Sequence, residues 1–336
     1  MKKFAYLLLS LIMLASCKKE APKDYITLTG TIKNKKDSVL LVNSRMSTIK
    51  KIKVNDDGTF KDTLKANEDY YLLTNGPTRT VVKLKNGYDL DINFDADNDV
   101  ETVKFTGEGA TTNNYIADKI RLQKEYKLDN PSSYFELDKP EFDAKVAEIK
   151  QKMETLLADN TKDLDSAFNA SEINMNSSFL NFMNSSYERL HPIAKGQPSP
   201  QFNFPDIHGK MVSLESLKGK YVYIDAWATW CNPCLKEIPS LKELEKEYHD
   251  KNIAFVSLSL DKKEDKDKWK KMVAEKDLQG IQLFEDMEGQ SNFVQMYNIS
   301  NIPRFILIAP DGTIVSNRAP RPSDPELKTL FSDLNI

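Results

Sequence analysis

Tyr221-Val222-Tyr223-Ile224-Asp225-Ala226-Trp227-Ala228-Thr229-Trp230-Cys231-Asn232-Pro233-Cys234 is the stretch on which the reading of this chain turns. Tyr221 to Trp227 is aromatic and aliphatic apart from one acid, which predicts a buried strand. Pro233 to Tyr248 predicts a helix, because proline suits a first turn, where the N–H it lacks would have no partner anyway. Two cysteines therefore sit at a strand-to-helix turn. The first turn of a helix carries unpaired N–H groups and the positive end of the dipole. A sulfur at the cap is favoured there as thiolate, and Cys-X-X-Cys motifs lower the first thiol from about 8.5 to as little as about 3.5. Cys234, three residues on, shares a helix face with Cys231.

That pattern favours exchange chemistry over its rivals. A purely structural disulfide would close almost no loop and gain little chain entropy. A zinc site needs about four ligands. There is no second cysteine pair, and His191, His208 and His249 lie far off with no ligand spacing. No metal and no cofactor beyond a redox-active Cys231–Cys234 disulfide is expected. In exchange, the Cys231 thiolate attacks a substrate disulfide, and Cys234 then resolves the mixed disulfide. Asp225 is the candidate proton carrier. A carboxyl in a buried strand has its pKa raised towards neutrality, as a general acid or base requires. The other reading of Asp225 is an acid at a solvated strand edge. Ile302-Pro303 precedes a strand beginning at Phe305, and the pattern leaves its peptide bond open between cis and trans.

Outward from the motif, strands alternate with helices. Ile253 to Leu260 and Ile281 to Glu285 predict strands, and Glu264 to Glu275 and Gln290 to Tyr297 helices. Phe305–Ala309 and Ile314–Asn317 flank the turn Asp311-Gly312, and Pro325–Leu334 closes the chain as a helix. This order predicts an α/β domain over 193–336 with helices on both faces of a central sheet. Pro192, Gly196, Pro198, Pro200 and Pro205 precede it and read as a linker. Before them, 111–192 has helical period. Phe142, Val146, Ile149, Met153 and Leu156 form one stripe, and Leu180, Met183, Tyr187 and Leu190 another. Each stripe packs on a neighbouring domain or binds a partner helix. From 25 to 110 short alternating runs, such as Val81–Leu84 and Leu90–Phe94 about the Asn86-Gly87 turn, predict a small antiparallel β-sandwich or open barrel.

The 336 residues suit two or three domains, and 40% of them are apolar. Net charge is −3 with no basic block, which excludes a nucleic-acid partner of the usual electrostatic kind. Lys2 and Lys3 precede an apolar run, Phe4–Leu14, that is too short to span a bilayer but suits a signal peptide over 1–16. Leu14-Ala15-Ser16-Cys17 resembles the lipobox of bacterial lipoproteins. The resemblance implies cleavage before Cys17, lipid on that residue, a polar tether over 17–24, and a membrane-anchored place in the cell envelope facing the periplasm. Lipid on Cys17 leaves Cys231 and Cys234 as the pair.

The segment Asp225 to Cys234, with Pro239, resembles the active site of thioredoxins, and Tyr297-Asn298-Ile299-Ser300-Asn301-Ile302-Pro303 resembles their cis-proline loop. The run-in through Gly196, Pro200, Phe202, Asp206, Gly209, Leu214, Gly219 and Lys220, with Glu237-Ile238-Pro239, is similar to the TlpA/ResA-like thiol–disulfide oxidoreductases. The resemblance covers about 194–336. It implies a thioredoxin-like fold, Cys231 as nucleophile, Cys234 as resolving thiol and Asp225 as the buried acid. It also implies a cis Pro303 against the cysteines, Trp230 flanking the exposed sulfur and Pro239 kinking the helix. Expected partners are protein thiols and disulfides of the envelope and a membrane electron donor. Asn-Pro between the cysteines departs from the Gly-Pro of thioredoxin. Arg304 stands where thioredoxin has Thr, either beside the sulfurs or turned to solvent. A reductase is the leading expectation. The alternatives are an oxidase or isomerase with the same residues, a thiol peroxidase, and a binding lipoprotein whose β-domain does the work.

Overall fold

The computed structural model describes residues 23–285 and 292–336. The signal segment, Cys17 and most of the expected tether lie outside the described residues. The chain divides into two compact units. One holds residues 23–128 with 151–173, and the other 129–150 with 174–285 and 292–336.

In the first unit the alternating runs form β1 (Ile26–Lys33), β2 (Val39–Asn43), β3 (Thr48–Lys53), β4 (Thr59–Leu64), β5 (Asp69–Asn75), β6 (Thr78–Leu84) and β7 (Asp89–Asp95). The short α1 (Asp99–Thr102), β8 (Lys104–Glu108) and α2 (Ala110–Glu125) follow. Two four-stranded sheets, in orders β4-β1-β7-β8 and β3-β2-β5-β6, enclose one core that includes Leu28, Leu40, Ile52, Val82 and Ile92. The expected antiparallel sandwich holds with one exception, since β1 and β7 run parallel. Parallel neighbours need a long crossover, and here the crossover is β2 to β6, most of which builds the second sheet. Gly30 faces Ile92 in that pair, where a Cβ would lie 1.8 Å from the Ile92 carbonyl oxygen.

The helical segment expected over 111–192 does not stand as a unit of its own. α3 (Lys139–Asn160) and α4 (Ser166–Leu190) form as their stripes predict, but 111–128 and 151–173 belong with the β-unit and 129–150 and 174–192 with the C-terminal one. The stripes are packing surfaces. Phe142 stacks on Tyr187 with ring centroids 4.0 Å apart, beside Met183 and Phe135.

The second unit adds β9 (Asn203–Pro205), β10 (Met211–Ser213), β11 (Tyr221–Trp227), α5 (Asn232–Glu247), β12 (Ile253–Ser259), α6 (Lys266–Glu275) and β13 (Ile281–Phe284). It ends in α7 (Asn292–Met296), β14 (Arg304–Ile308), β15 (Ile314–Ser316) and α8 (Pro325–Asp333). Its five-stranded sheet has the order β13-β12-β11-β14-β15. β11, β12 and β13 are parallel, while β14 is antiparallel to β11 and β15 to β14. Alternation along β11 sends Val222, Ile224 and Ala226 to one core, with Phe293 of α7 and Tyr297 just after it. Tyr223 goes to the opposite core, with Leu241 of α5 and Phe331 of α8.

The proline-rich stretch read as a linker is docked to this sheet. The Gly196 N–H donates to Ile314 O, Ile314 N–H to Gln197 O and Ser199 N–H to Gly312 O, which covers β15. Further on, Asp206 bridges to Leu283 on β13. Proline breaks helices but tolerates such edge pairing, so composition alone could not tell a tether from a docked strap.

Candidate active site

β11 delivers the chain to the mouth of α5, and Cys231 is the cap. Its Sγ accepts the Cys234 N–H at 3.2 Å, so the sulfur satisfies one of the donors that open the helix. Pro233 occupies the first turn, and Pro239 lies inside the helix. Cys231 and Cys234 form a disulfide with Cα atoms 5.3 Å apart. Both are buried, at 4% and 3% exposure, while Trp230 beside them is 60% exposed. The sulfurs pack in an apolar cluster with Trp227, Ala228, Trp269, Val273 and Phe284, and Ile302 rests against it. The Ile302–Pro303 bond is cis, which answers the question the pattern left open. The loop expected to meet the cysteines thus reaches their cluster through Ile302.

Asp225 is buried on the α5 side of β11, and its Oδ1 has no hydrogen-bond partner among the described residues. Its neighbours across the strands are Ser257 and Phe305. Burial, then the charges of Glu237 and Glu245 on α5, push its pKa up to about 8. The solvated-edge reading is thereby excluded. Glu245 itself lines a groove of about 590 Å³ with Tyr248, His249 and Gly280, and burial raises it to about 7 against the pull of Lys242.

Two acids of this region were not singled out as site residues from the sequence. Asp261, fully buried, accepts the Thr229 N–H at 3.0 and 3.1 Å, the Thr229 hydroxyl at 2.8 Å and the Ser259 hydroxyl at 2.8 Å. It fixes the loop that presents Trp230 and Cys231. An acid directly after the apolar run Ile253–Leu260 was the available signal, the same one that marks Asp225. Glu237 is also buried, and its partners come from residues 321–323.

Arg304 does not take the solvent-facing position that was one of the two expectations for it. It is 5% exposed, so it does not turn to solvent, and its Nη1 lies 3.5 Å from Asn317 O. Nη2 has no partner among the described residues. Burial and then Arg318 lower its pKa. Among the described residues no cluster of His, Cys, Asp or Glu is arranged to hold a metal ion, and no helix is long and apolar enough to cross a membrane.

The Redoxin family model matches residues 194–334. The thiol-disulfide oxidoreductase ResA of Bacillus thuringiensis (strain Al Hakam) is 30% identical over 123 residues, 36% of this chain and 66% of that protein. The thioredoxin-like protein YneN of Bacillus subtilis (strain 168) is 32% identical over 122 residues, 36% of this chain and 69% of that protein. The crystal structure of the thioredoxin domain of a thiol-disulfide oxidoreductase from Bacteroides vulgatus is 30% identical. It covers 42% of this chain and 97% of that one, with a TM-score of 0.38. The chain spans just under two thirds of the first relative's length. It belongs to the TlpA/ResA-like family of thioredoxin-like thiol–disulfide oxidoreductases.

Proposed function

We propose that this chain is a thiol–disulfide exchange enzyme of the cell envelope, anchored by lipid on Cys17 and acting as a reductase of protein disulfides. The observation that carries the reading is the cap geometry. The Cys231 sulfur accepts a helix-opening N–H, with Cys234 one turn on and the buried acid Asp225 on the facing strand. In the reduced enzyme the same N–H favours the Cys231 thiolate.

That thiolate attacks one sulfur of a substrate disulfide, and the electron pair of the broken bond leaves on the other. Cys234, having given its proton to the Asp225 carboxylate, then attacks Cys231 Sγ and expels the substrate's remaining thiolate. The substrate gains two electrons and the enzyme closes its disulfide. A membrane-borne dithiol restores it, since the compartment supplies no glutathione-type pool. Exposed Trp230 and the Pro303 loop frame the sulfur for an extended substrate.

Two measurements test this. Cys234→Ser should accumulate mixed disulfides with envelope proteins while Cys231→Ser accumulates none. Absence of adducts in both would refute the exchange reading. The reduction potential of the purified protein decides direction, and a value near about −120 mV, that of a strong oxidant, would replace the reductase with an oxidase.

A further inference from the structure

α5 carries one buried group that exchange itself does not use. Glu237 lies three residues after Cys234, on the same helix face, and is 6% exposed. A carboxylate at that depth is costly unless its oxygens are hydrogen-bonded. Its partners come from the far end of the chain. The Ser323 N–H donates to Oε2 at 3.0 Å, the Ser323 hydroxyl donates to Oε1 at 3.0 Å, and Arg321 Nη1 stands 3.6 Å from Oε1. Both oxygens are therefore held.

The segment that holds them is itself pinned. The Tyr223 hydroxyl donates to Pro320 O at 2.7 Å, and Asp324 caps α8 through the Glu326 N–H. Tyr223 precedes Asp225 by two residues on β11, so the two share a face. One loop, Ala319-Pro320-Arg321-Pro322-Ser323, thus ties the helix that bears the sulfurs to the strand that bears the acid.

We propose that Arg321 and Ser323 are positioning residues that fix the negative charge of Glu237 near Asp225, and so keep a proton on Asp225 for delivery to Cys234 when the disulfide is opened. The inference rests on the exchange reaction proposed above. The charged or titratable groups that act on Asp225 are Glu237 and Glu245 from α5, and Tyr223 interacts with it along its own strand. Its cross-strand neighbours Ser257 and Phe305 carry no charge. Glu237 acts in turn on Asp225 and Tyr223 and is faced by Arg321 and Ser323.

The step balances as follows. One thiolate of a donor dithiol attacks Cys231 Sγ, and the Cys231–Cys234 bond breaks. Its electron pair passes to Cys234 Sγ, which takes the proton from Asp225 and leaves it a carboxylate. The donor's second thiolate then attacks the donor sulfur bound to Cys231, closing the donor disulfide and releasing the Cys231 thiolate. The donor is oxidised, the enzyme disulfide is reduced, and Asp225 is left as the carboxylate that takes the Cys234 proton back when the next substrate disulfide is attacked.

The test is stopped-flow reduction of the oxidised full chain by dithiothreitol between pH 5 and 10, with rates corrected for the reagent's thiolate fraction. The parent should lose rate above a midpoint near 8, where Asp225 gives up its proton. In Arg321→Gln/Ser323→Ala the midpoint should fall by about one unit, which slows the reaction at pH 8 roughly five-fold. Glu237→Gln should show the same fall, and adding the two loop changes to it should move the midpoint no further. Arg321→Lys and Ser323→Thr should restore the parental profile. Arg321 is a mostly exposed side chain. Arg321→Gln alone therefore carries the test if the double variant fails to fold, with a shift of about half a unit. An unmoved midpoint in a folded loop variant, or a shift that persists without Glu237, overturns the inference. A parent that dithiothreitol does not reduce overturns the exchange reaction instead.

Discussion

Replacing Asp225 by Asn should shift the stability of the C-terminal unit, relative to the parent, in the variant's favour as pH rises. The Asp225 carboxyl titrates near 3.8 when unfolded and at about 8 in the fold. A group whose folded pKa is raised favours the fold below its unfolded pKa, and that contribution is lost as pH rises through the folded value. The window is therefore about pH 4 to 8. At pH 4.5 the unfolded carboxylate is already mostly ionised and the folded one is not. At pH 8 the folded one is half ionised. Linkage across that interval amounts to roughly three pKa units, or about 4 kcal/mol at about 1.4 kcal/mol per unit. Asn carries no proton to lose, so the stability difference between variant and parent should rise by about 4 kcal/mol from pH 4.5 to pH 8. Any fixed penalty for burying the amide shifts both ends alike and drops out. Guanidinium unfolding of the disulfide forms, followed by tryptophan fluorescence, reads this directly. Trp227, Trp230 and Trp269 are the chain's three tryptophans, and all lie in that unit. Parallel stability profiles for parent and variant would refute the buried, proton-retaining state of Asp225.

Asp261→Ala strips four hydrogen bonds from the Thr229 loop and Ser259. It should cost about 2–4 kcal/mol in the same unfolding assay, and a loss under about 0.5 kcal/mol would deny the loop its anchor. Cys17→Ser should move the protein from the membrane fraction to the soluble envelope fraction, and its continued sedimentation with membranes would remove the lipid anchor from the account.

How far the sequence reached depended on the range of each interaction. The Cys231 cap, β11 and the helix after it are local, so propensity and spacing revealed them. Asp225 was legible because one acid in an apolar strand stands out. Asp261 meets Thr229 across 32 residues and Glu237 meets Ser323 across 86, and no periodicity links such partners. The parallel pairing of β1 with β7 escaped for the same reason, since alternation along a strand is the same whichever way its neighbour runs. The burial of Arg304 was not legible because guanidinium groups rarely enter a core, and only the register with Ala226 places it there.

The strap between Gly196 and Asp206 has a consequence for anyone who isolates the redox unit. It closes off β15 at one border of the sheet and touches β13 at the other. Unpaired strand borders are templates for aggregation. A fragment begun at Tyr221 would keep every reacting group and yet bare both margins, so its failing would be self-association rather than lost chemistry.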